Sequence, residues 1–266
     1  MYQTTYHRAE SVDEAAALFA KGSDAKYLAG GHTLIPVMKQ RLASPSDVID
    51  LARIPALIGI SATAEMLTIK AATTYSDIAS SRDVAKAIPA IAHLASMIGD
   101  PAVRHRGTLG GSIANNDPAA DFPGAVLGLG ATVVTNKRSI AADEFFKGQF
   151  ETALGAGEII IAVTFPVPAK AAYAKFRQPA SRFSLTGAFV VKTKSGDVRV
   201  AITGAAENGV MRISAFETAL KANWSPAALD SVTVPAAGLI SDIHGSAAYR
   251  ANLIKVMAQR AVAEAR

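Results

Sequence analysis

The sequence predicts an α+β protein in three parts. Two α/β subdomains are expected at about residues 1–55 and 56–170, and a C-terminal α+β domain with a small antiparallel sheet at 171–266. Helix-like and strand-like periodicities alternate through the first two parts. After residue 171, strand patterns follow one another instead, and Ser195-Gly196 between two of them is typical of a hairpin turn.

The first subdomain is predicted to be a β/α unit built around a glycine turn. Ser11 and Glu14 have the spacing of a capping box, which predicts a helix over 12–20. Apolar strand patterns follow at 25–29 and 48–51, and the first of them runs directly into Gly30-Gly31. Glycines placed after a strand predict a sharp backbone turn at this point.

The second subdomain is predicted to combine paired strands with helices and one long loop. Its predicted strands are 57–60, 67–72, 131–135 and 158–165, and its predicted helices are 75–80 and 84–98. The stretch 100–112 contains Pro101 and three glycines, which predict irregular structure.

The C-terminal domain is predicted to contain a small antiparallel sheet and two helices. Its strand patterns cover 172–176, 187–194 and 197–205, and its helical patterns cover 215–222 and 247–263. The last helix carries apolar residues at helical spacing, which predicts a core or subunit contact rather than chemistry.

Composition excludes several classes of function. Half of the residues are hydrophobic and 18% are charged, which predicts a folded core. The net charge of +5 is spread along the chain, so no nucleic-acid footprint is indicated. The chain has no cysteine, which excludes thiolate ligation of an iron–sulfur cluster, a disulfide and a cysteine nucleophile. Neither a signal-peptide pattern nor a transmembrane run is present, and we expect a cytoplasmic protein.

The first candidate binding segment is the glycine turn and the residues around it. It consists of Ala29, Gly30, Gly31, His32, Thr33 and Leu34. Paired glycines after a strand let consecutive N–H groups point to one place, which is how backbone nests bind phosphate oxygens. An ordinary β-turn is the commoner explanation of such a pair taken alone, and the segment is neither a Rossmann nor a Walker A sequence.

The second candidate segment concentrates hydrogen-bond donors around another glycine pair. Its candidate residues are Thr108, Gly110, Gly111, Ser112, Asn115, Asn116 and Asp121. The Asp121 carboxylate suits ribose or ribityl hydroxyls. Two separate Gly-Gly segments predict a diphosphate held from both sides, and therefore a dinucleotide ligand. The scattered histidines His7, His93 and His244 have no metal-ligand spacing, and neither a metal site nor a catalytic side chain is predicted.

Three stretches resemble the FAD-binding medium subunits of the aerobic carbon monoxide dehydrogenase and xanthine dehydrogenase family of molybdenum hydroxylases. These are AGGHTLIPVMKQRLASPSDVIDL, RHRGTLGGSIANNDPAADFPG and the C-terminal SDIHGSAAYRANLIKVMAQRAV. They occur in the family's order and together span nearly the whole chain. The resemblance implies the FAD-binding fold that is shared with vanillyl-alcohol oxidase (the PCMH type), with residues 1–170 as the FAD-binding domain.

The resemblance also implies site residues. The first segment would bind the FAD diphosphate, and Thr108, Gly111, Ser112, Asn115 and Asp121 would complete the site. Ile160 matches an apolar position that contacts the cofactor. Lys175 falls near a family lysine beside the flavin ring. Because the stretch 177–183 is one residue off the common pattern, Arg177 competes with Lys175 for that role, and Phe183 is a candidate for an aromatic that shields the ring.

The function implied is electron transfer within a larger enzyme. A large partner subunit would hold the molybdenum cofactor, and a small partner would hold [2Fe–2S] clusters, in a dimer of heterotrimers. Non-covalent FAD on this chain would pass electrons from the clusters to quinone, NAD or oxygen while carbon monoxide, a purine, an N-heterocycle or an aldehyde is oxidised. Two alternatives stay open: a stand-alone flavin oxidase with FAD attached to His32, and a non-catalytic FAD-binding assembly protein.

Overall fold

A computed structural model describes all residues, 1–266, and shows a mixed α and β chain with three larger sheets and one short hairpin. The first unit is a parallel sheet of three strands in the order β1-β3-β2. Its elements are β1 (Thr5–Arg8), α1 (Val12–Lys21), β2 (Ala25–Leu28), α2 (Leu34–Lys39) and β3 (Asp47–Asp50). The Ser11 hydroxyl accepts a hydrogen bond from the Glu14 N–H, so the predicted cap of α1 is confirmed.

The second unit is built on a five-stranded antiparallel sheet in the order β4-β5-β10-β6-β7. In chain order its elements are a 3-10 turn (Pro55–Leu57), β4 (Ile60–Ala62), β5 (Met66–Lys70), α3 (Tyr75–Ser80), α4 (Arg82–Ala87), α5 (Pro89–Ser96), α6 (Pro101–Arg104), α7 (Leu109–Asn115), α8 (Phe122–Gly128), β6 (Thr132–Thr135), β7 (Ser139–Ala141), α9 (Ala142–Phe145), β8 (Phe146–Gly148), β9 (Glu151–Thr152) and β10 (Ile160–Pro166). β8 and β9 form the short hairpin.

Three predictions for this unit are wrong in detail. The helix expected over 84–98 is two helices, because Pro89 lacks an N–H group and Ile88 before it leaves the helical region, with φ −142° and ψ 82°. The strand expected at 57–60 begins only at Ile60, after the 3-10 turn. The loop expected over 100–112 contains α6 and the start of α7.

The C-terminal unit is an antiparallel sheet in the order β11-β12-β13-β14, covered by helices. Its elements are β11 (Lys170–Arg177), β12 (Ser184–Lys192), β13 (Val198–Thr203), β14 (Met211–Arg212), α10 (Ser214–Ala222), a 3-10 turn (Pro226–Leu229) and α11 (Ala247–Glu264). The small antiparallel sheet is therefore confirmed, including the turn at Ser195-Gly196. None of the helices has both the length and the apolar character needed to span a membrane.

β11 and β12 lie between two hydrophobic cores. Tyr173 and Phe189 belong to the core of the second unit, whereas Ala172 and Ala188 belong to the core beneath α11. This division follows from the two-residue period of a strand, which points successive side chains to opposite faces. The sheet thus joins the C-terminal unit to the second unit and carries alternate side chains toward it.

Candidate cofactor-binding site

A cavity of about 650 Å³ lies between the first and second units, and residues of the β11–β12 connection close one side of it. Ligand and cofactor sites commonly have roughly 300–1,000 Å³. The predicted binding residues that line this one cavity are Ala29, Gly30, Gly31, His32, Thr33, Leu34, Thr108, Gly110, Gly111, Ser112, Asn115, Asp121 and Ile160, whereas Asn116, Lys175 and Arg177 lie outside its wall. The prediction for Asn116 is wrong, because its buried side-chain amide donates to the carbonyls of Gly148 and Glu151 instead. The fold therefore brings together the two segments that the sequence singled out.

The first glycine segment presents free backbone donors to the cavity. None of the N–H groups of residues 30–34 donates a hydrogen bond to another group of the chain. Gly31 has φ +73°, a conformation open to glycine, and α2 begins directly afterwards, with Ile35 N–H bonded to the Gly31 carbonyl. Consecutive free N–H groups in such a turn form a nest that attracts anions, which supports the predicted role of this segment.

Gly30 is required for a close approach between the two segments. A Cβ built at Gly30 would overlap the Arg106 carbonyl and come within 2.8 Å of the Gly107 Cα. Real side chains do not tolerate such contacts with backbone atoms. The first segment therefore packs directly against the chain that leads into the second.

The second glycine segment is not a loop, and its backbone donors are occupied. Thr108 caps α7 by accepting from the Gly111 N–H, and Ser112 N–H bonds to the Thr108 carbonyl. Leu109 and Gly110 donate to the carbonyls of Thr73 and Ala71, which follow β5. The expectation that free amides here grip a diphosphate is corrected: this side offers the cavity side chains, and Gly110 permits tight packing on Ala71.

Asp121 forms a buried polar cluster in the cavity wall. It is 4% exposed, and its carboxylate accepts from the Tyr173 hydroxyl at 2.5 Å and from the Lys175 ammonium at 2.9 and 3.0 Å. Burial raises the pKa of Asp121, and the positive charge of Lys175 opposes that rise. The Lys175 side chain is fully buried and does not form part of the cavity wall. Arg177 is exposed and also outside the wall.

A second buried carboxylate, Glu158, lines the cavity and was not predicted from the sequence. Its side chain is 2% exposed and accepts from Arg138 at 3.0 Å, from the Thr135 hydroxyl at 2.7 Å and from the Gly155 N–H at 2.8 Å. The hydrogen bond from Arg138 is the main reason that its pKa falls to about 2. This charge therefore stays paired and braces the turn before β10.

Apolar side chains from distant elements complete the wall. They include Leu28, Leu34, Leu51, Leu57, Ile98, Ile160 and Phe183. Phe183 is 51% exposed and lies on the β11–β12 connection, where the sequence suggested a ring-shielding aromatic. Leu28, Leu57 and Ile98 belong to no sequence motif, so only the three-dimensional structure reveals them.

The histidines do not gather into a metal site. His7 pairs with Asp47 at 2.6 Å in the first sheet, and His244 lies 3.5 Å from the Gln178 amide in the C-terminal unit. No group of three or more His, Asp or Glu side chains is arranged to hold a metal ion. His32 lines the cavity and is exposed.

Comparison with known proteins gives consistent matches over the whole chain. Residues 2–168 match the family described as FAD binding domain in molybdopterin dehydrogenase. The carbon monoxide dehydrogenase medium chain of Hydrogenophaga pseudoflava is 35% identical, over 97% of this chain and 95% of its own. The nicotine 6-hydroxylase medium subunit of Paenarthrobacter nicotinovorans is also 35% identical, over 98% and 96%. A chain in the structure of reconstituted CO dehydrogenase from Oligotropha carboxidovorans superimposes with a TM-score of 0.88 at 34% identity, covering 98% and 96%.

These matches confirm the resemblance and the fold that the sequence predicts. The family match covers both units that enclose the cavity, and the full-length relatives extend it through the C-terminal unit. The relatives are subunits of dehydrogenases and hydroxylases, which are oxidoreductases. The chain belongs to the family of FAD-binding domains of molybdopterin dehydrogenases.

Proposed function

We propose that this chain is the FAD-binding medium subunit of a molybdenum hydroxylase and carries electrons from a partner's iron–sulfur clusters to an external acceptor. The observation that carries the proposal is the row of free N–H groups at residues 30–34, which opens into the cavity lined by the second segment. A nest of this kind provides the charge complement for a diphosphate. The family match supplies the identity of the ligand.

The residues present fit FAD. The nest would hold the diphosphate, and the side chains of Ser112, Asn115 and Asp121 would accept from or donate to the hydroxyls of the ligand. The apolar wall suits a flat aromatic ring, as expected for a cofactor pocket with few polar groups. A side chain at Gly30 would disrupt this arrangement.

Bound FAD would supply the redox chemistry, and the protein would bind and orient the cofactor and exclude water. This chain contains no cysteine, so thiolate-bound clusters must lie on another chain. We propose a small partner with [2Fe–2S] clusters and a large partner with the molybdenum cofactor, assembled as a dimer of heterotrimers. The medium subunits named among the relatives support a multi-subunit enzyme.

We propose that the large partner, and not this chain, recognises the substrate. A carbon monoxide dehydrogenase chain and a nicotine 6-hydroxylase chain match equally well, each at 35% identity. Carbon monoxide and nicotine share no recognition chemistry. Both relatives are medium subunits, so the similarity does not identify the substrate, and the gene that encodes the large partner should indicate it.

The first test is the absorption spectrum of the purified chain after addition of FAD, followed by acid precipitation. We expect flavin absorption that co-elutes with the protein and passes into the supernatant as intact FAD. A yellow pellet would instead favour the flavin oxidase with FAD attached to His32, which also lines the cavity. Failure to bind FAD, alone and together with the partner subunits, would overturn the proposal.

A second test separates electron transfer from cofactor storage. The flavin of the assembled complex should be reduced when the substrate of the large subunit is added under anaerobic conditions, and reoxidised by quinone, NAD or oxygen. A flavin that dithionite reduces but the substrate does not would favour the assembly protein.

A further inference from the structure

Tyr173 is a fully buried polar side chain that does not line the cavity. It lies on the face of β11 that packs on the second unit, and its hydroxyl donates to the Asp121 carboxylate at 2.5 Å. A Cβ built at the neighbouring Gly187 on β12 would overlap this hydroxyl and come within 2.9 Å of the buried Ser184 Oγ. The absence of a side chain at Gly187 therefore leaves room for the phenol to reach Asp121.

The hydrogen bonds from Tyr173 and Lys175 leave Asp121 with an unused acceptor position. An ionised carboxylate has about four acceptor positions on its two oxygens. Tyr173 occupies one on Oδ1, and Lys175 lies within 3.0 Å of both oxygens. Asp121 lines the cavity wall, whereas neither Tyr173 nor Lys175 does. The remaining position can accept from a ligand hydroxyl or N–H group, provided that the carboxyl group stays ionised.

We propose that Tyr173 is a positioning residue, whose hydroxyl, with the Lys175 ammonium, keeps Asp121 ionised and fixed as a hydrogen-bond acceptor for the bound cofactor. This inference rests on the proposed FAD-binding function. Tyr173 does not line the cavity and would act through Asp121. Without the hydroxyl, the carboxylate loses a donor that favours its charged form.

The groups around Asp121 determine the direction of the effect. Lys175, Tyr173 and Arg177 on β11 all favour the charged carboxylate, and burial opposes them and raises the pKa of Asp121. Burial raises the pKa of Tyr75 on α3 to about 12, and the negative charge of Asp121 adds to this rise, so Tyr75 stays neutral. Burial likewise raises the pKa of Tyr173 well above its usual range, so it stays a donor. Removing the Tyr173 hydroxyl must therefore raise the pKa of Asp121 further.

The test is the dissociation constant of FAD from the full chain, measured between about pH 4 and 8 by flavin fluorescence. In Tyr173→Phe, the acid-side loss of binding should move to higher pH by about one unit or more, since a hydrogen bond to a charged group is roughly that strong. Binding on the acid side should be about tenfold weaker at a fixed pH. Binding well above the transition should change little.

Tyr6→Phe is a matched control. Its hydroxyl donates to Asp50 at 2.7 Å, so the change deletes an exposed tyrosine–aspartate hydrogen bond between two residues that do not line the cavity. It should leave the pH profile of FAD binding unchanged. Equal profiles for the wild-type chain and Tyr173→Phe would overturn the inference, whereas a wild-type chain that binds no FAD would overturn the proposed function.

Asp121→Asn keeps the inference testable if Tyr173→Phe does not fold. The amide cannot ionise, so binding should be weaker above the acid-side transition, and the transition itself should disappear. A transition that persists unchanged in folded Asp121→Asn would show that another group controls it and would exclude the positioning role of Tyr173.

Discussion

Gly30-Gly31 and Gly110-Gly111 both face the cofactor cavity, but the structure uses the two pairs in different ways. The first pair belongs to a turn whose N–H groups are free at residues 30–34. The second pair lies inside α7, where the N–H groups of Gly110 and Gly111 are bonded to Ala71 and Thr108. The first pair therefore leaves its donors free for a ligand, whereas the donors of the second pair are used in packing.

The difference arises from what lies beside each pair. The chain after β5 places the carbonyls of Ala71 and Thr73 against the start of α7, and these acceptors take the donors of the second pair. No carbonyl accepts a hydrogen bond from the N–H groups of residues 30–34. A Gly-Gly pair thus permits a nest of N–H groups, and the neighbouring acceptors determine whether these groups remain free to bind an anion.

The largest effect is expected for Gly30→Ala. The added Cβ would overlap the Arg106 carbonyl, and neither backbone can move without displacing a binding segment. We expect a loss of about 1–3 kcal/mol in unfolding free energy and at least a tenfold weaker FAD affinity in the folded protein. Denaturant titration and FAD titration measure the two effects. Unchanged FAD affinity would mean that the first segment is not the diphosphate site.

A smaller and different effect is expected for Gly110→Ala. The added Cβ would lie 2.6 Å from the Ala71 Cβ and 2.8 Å from its carbonyl oxygen, so overpacking should again lower the unfolding free energy by about 1–3 kcal/mol. FAD affinity should change by less than about threefold, because no free donor is disturbed. If affinity fell as far as in Gly30→Ala, the two pairs would have the same role.

The smallest effect is expected for Gly111→Ala. Its Cβ would approach only the Thr108 Oγ1, at 2.9 Å, and would otherwise be in ordinary contact with Ala29. Alanine is favoured over glycine within a helix by about 1 kcal/mol, which offsets the strain at the cap. The unfolding free energy should therefore change by less than about 1 kcal/mol, as measured by denaturant titration. A loss as large as that of Gly110→Ala would show that the Thr108 cap is essential.

Elements with strong periodicity were predictable from the sequence. The helix Tyr75–Ser80 has the predicted bounds, and the hairpin at Ser195-Gly196 was marked by its turn residues. α7 was not predicted, because glycine lowers helix propensity and its cap and buried surroundings outweigh that preference. Local sequence pattern thus fails to predict a helix whose low propensity is offset by tertiary hydrogen bonds and packing.

The candidate site was predictable to the extent that it lies in continuous motifs. Both glycine segments and Asp121 were found because their residue types point to phosphate and hydroxyl binding. Glu158 was missed because its main partner, Arg138, lies 20 positions earlier, and only the pairing of β6 and β10 brings them together. Tyr173 and Lys175 share one face of β11, yet nothing in the sequence indicates that Asp121 faces them.

The pairing of β5 with β10 has a consequence for the order of events during synthesis. Lys70 of β5 pairs with Ala162 of β10. The second glycine segment lies between these strands in the sequence, so it leaves the ribosome before β10 can complete the sheet. The nest at residues 30–34 is synthesised early, but two walls of its cavity, at residues 158–160 and 181–183, arrive much later. Nascent chains shorter than about 180 residues would therefore expose the nest without enclosing it. We therefore expect the chain to bind its cofactor late, because contacts between residues far apart in the sequence form slowly during folding and the cavity closes only when they have formed.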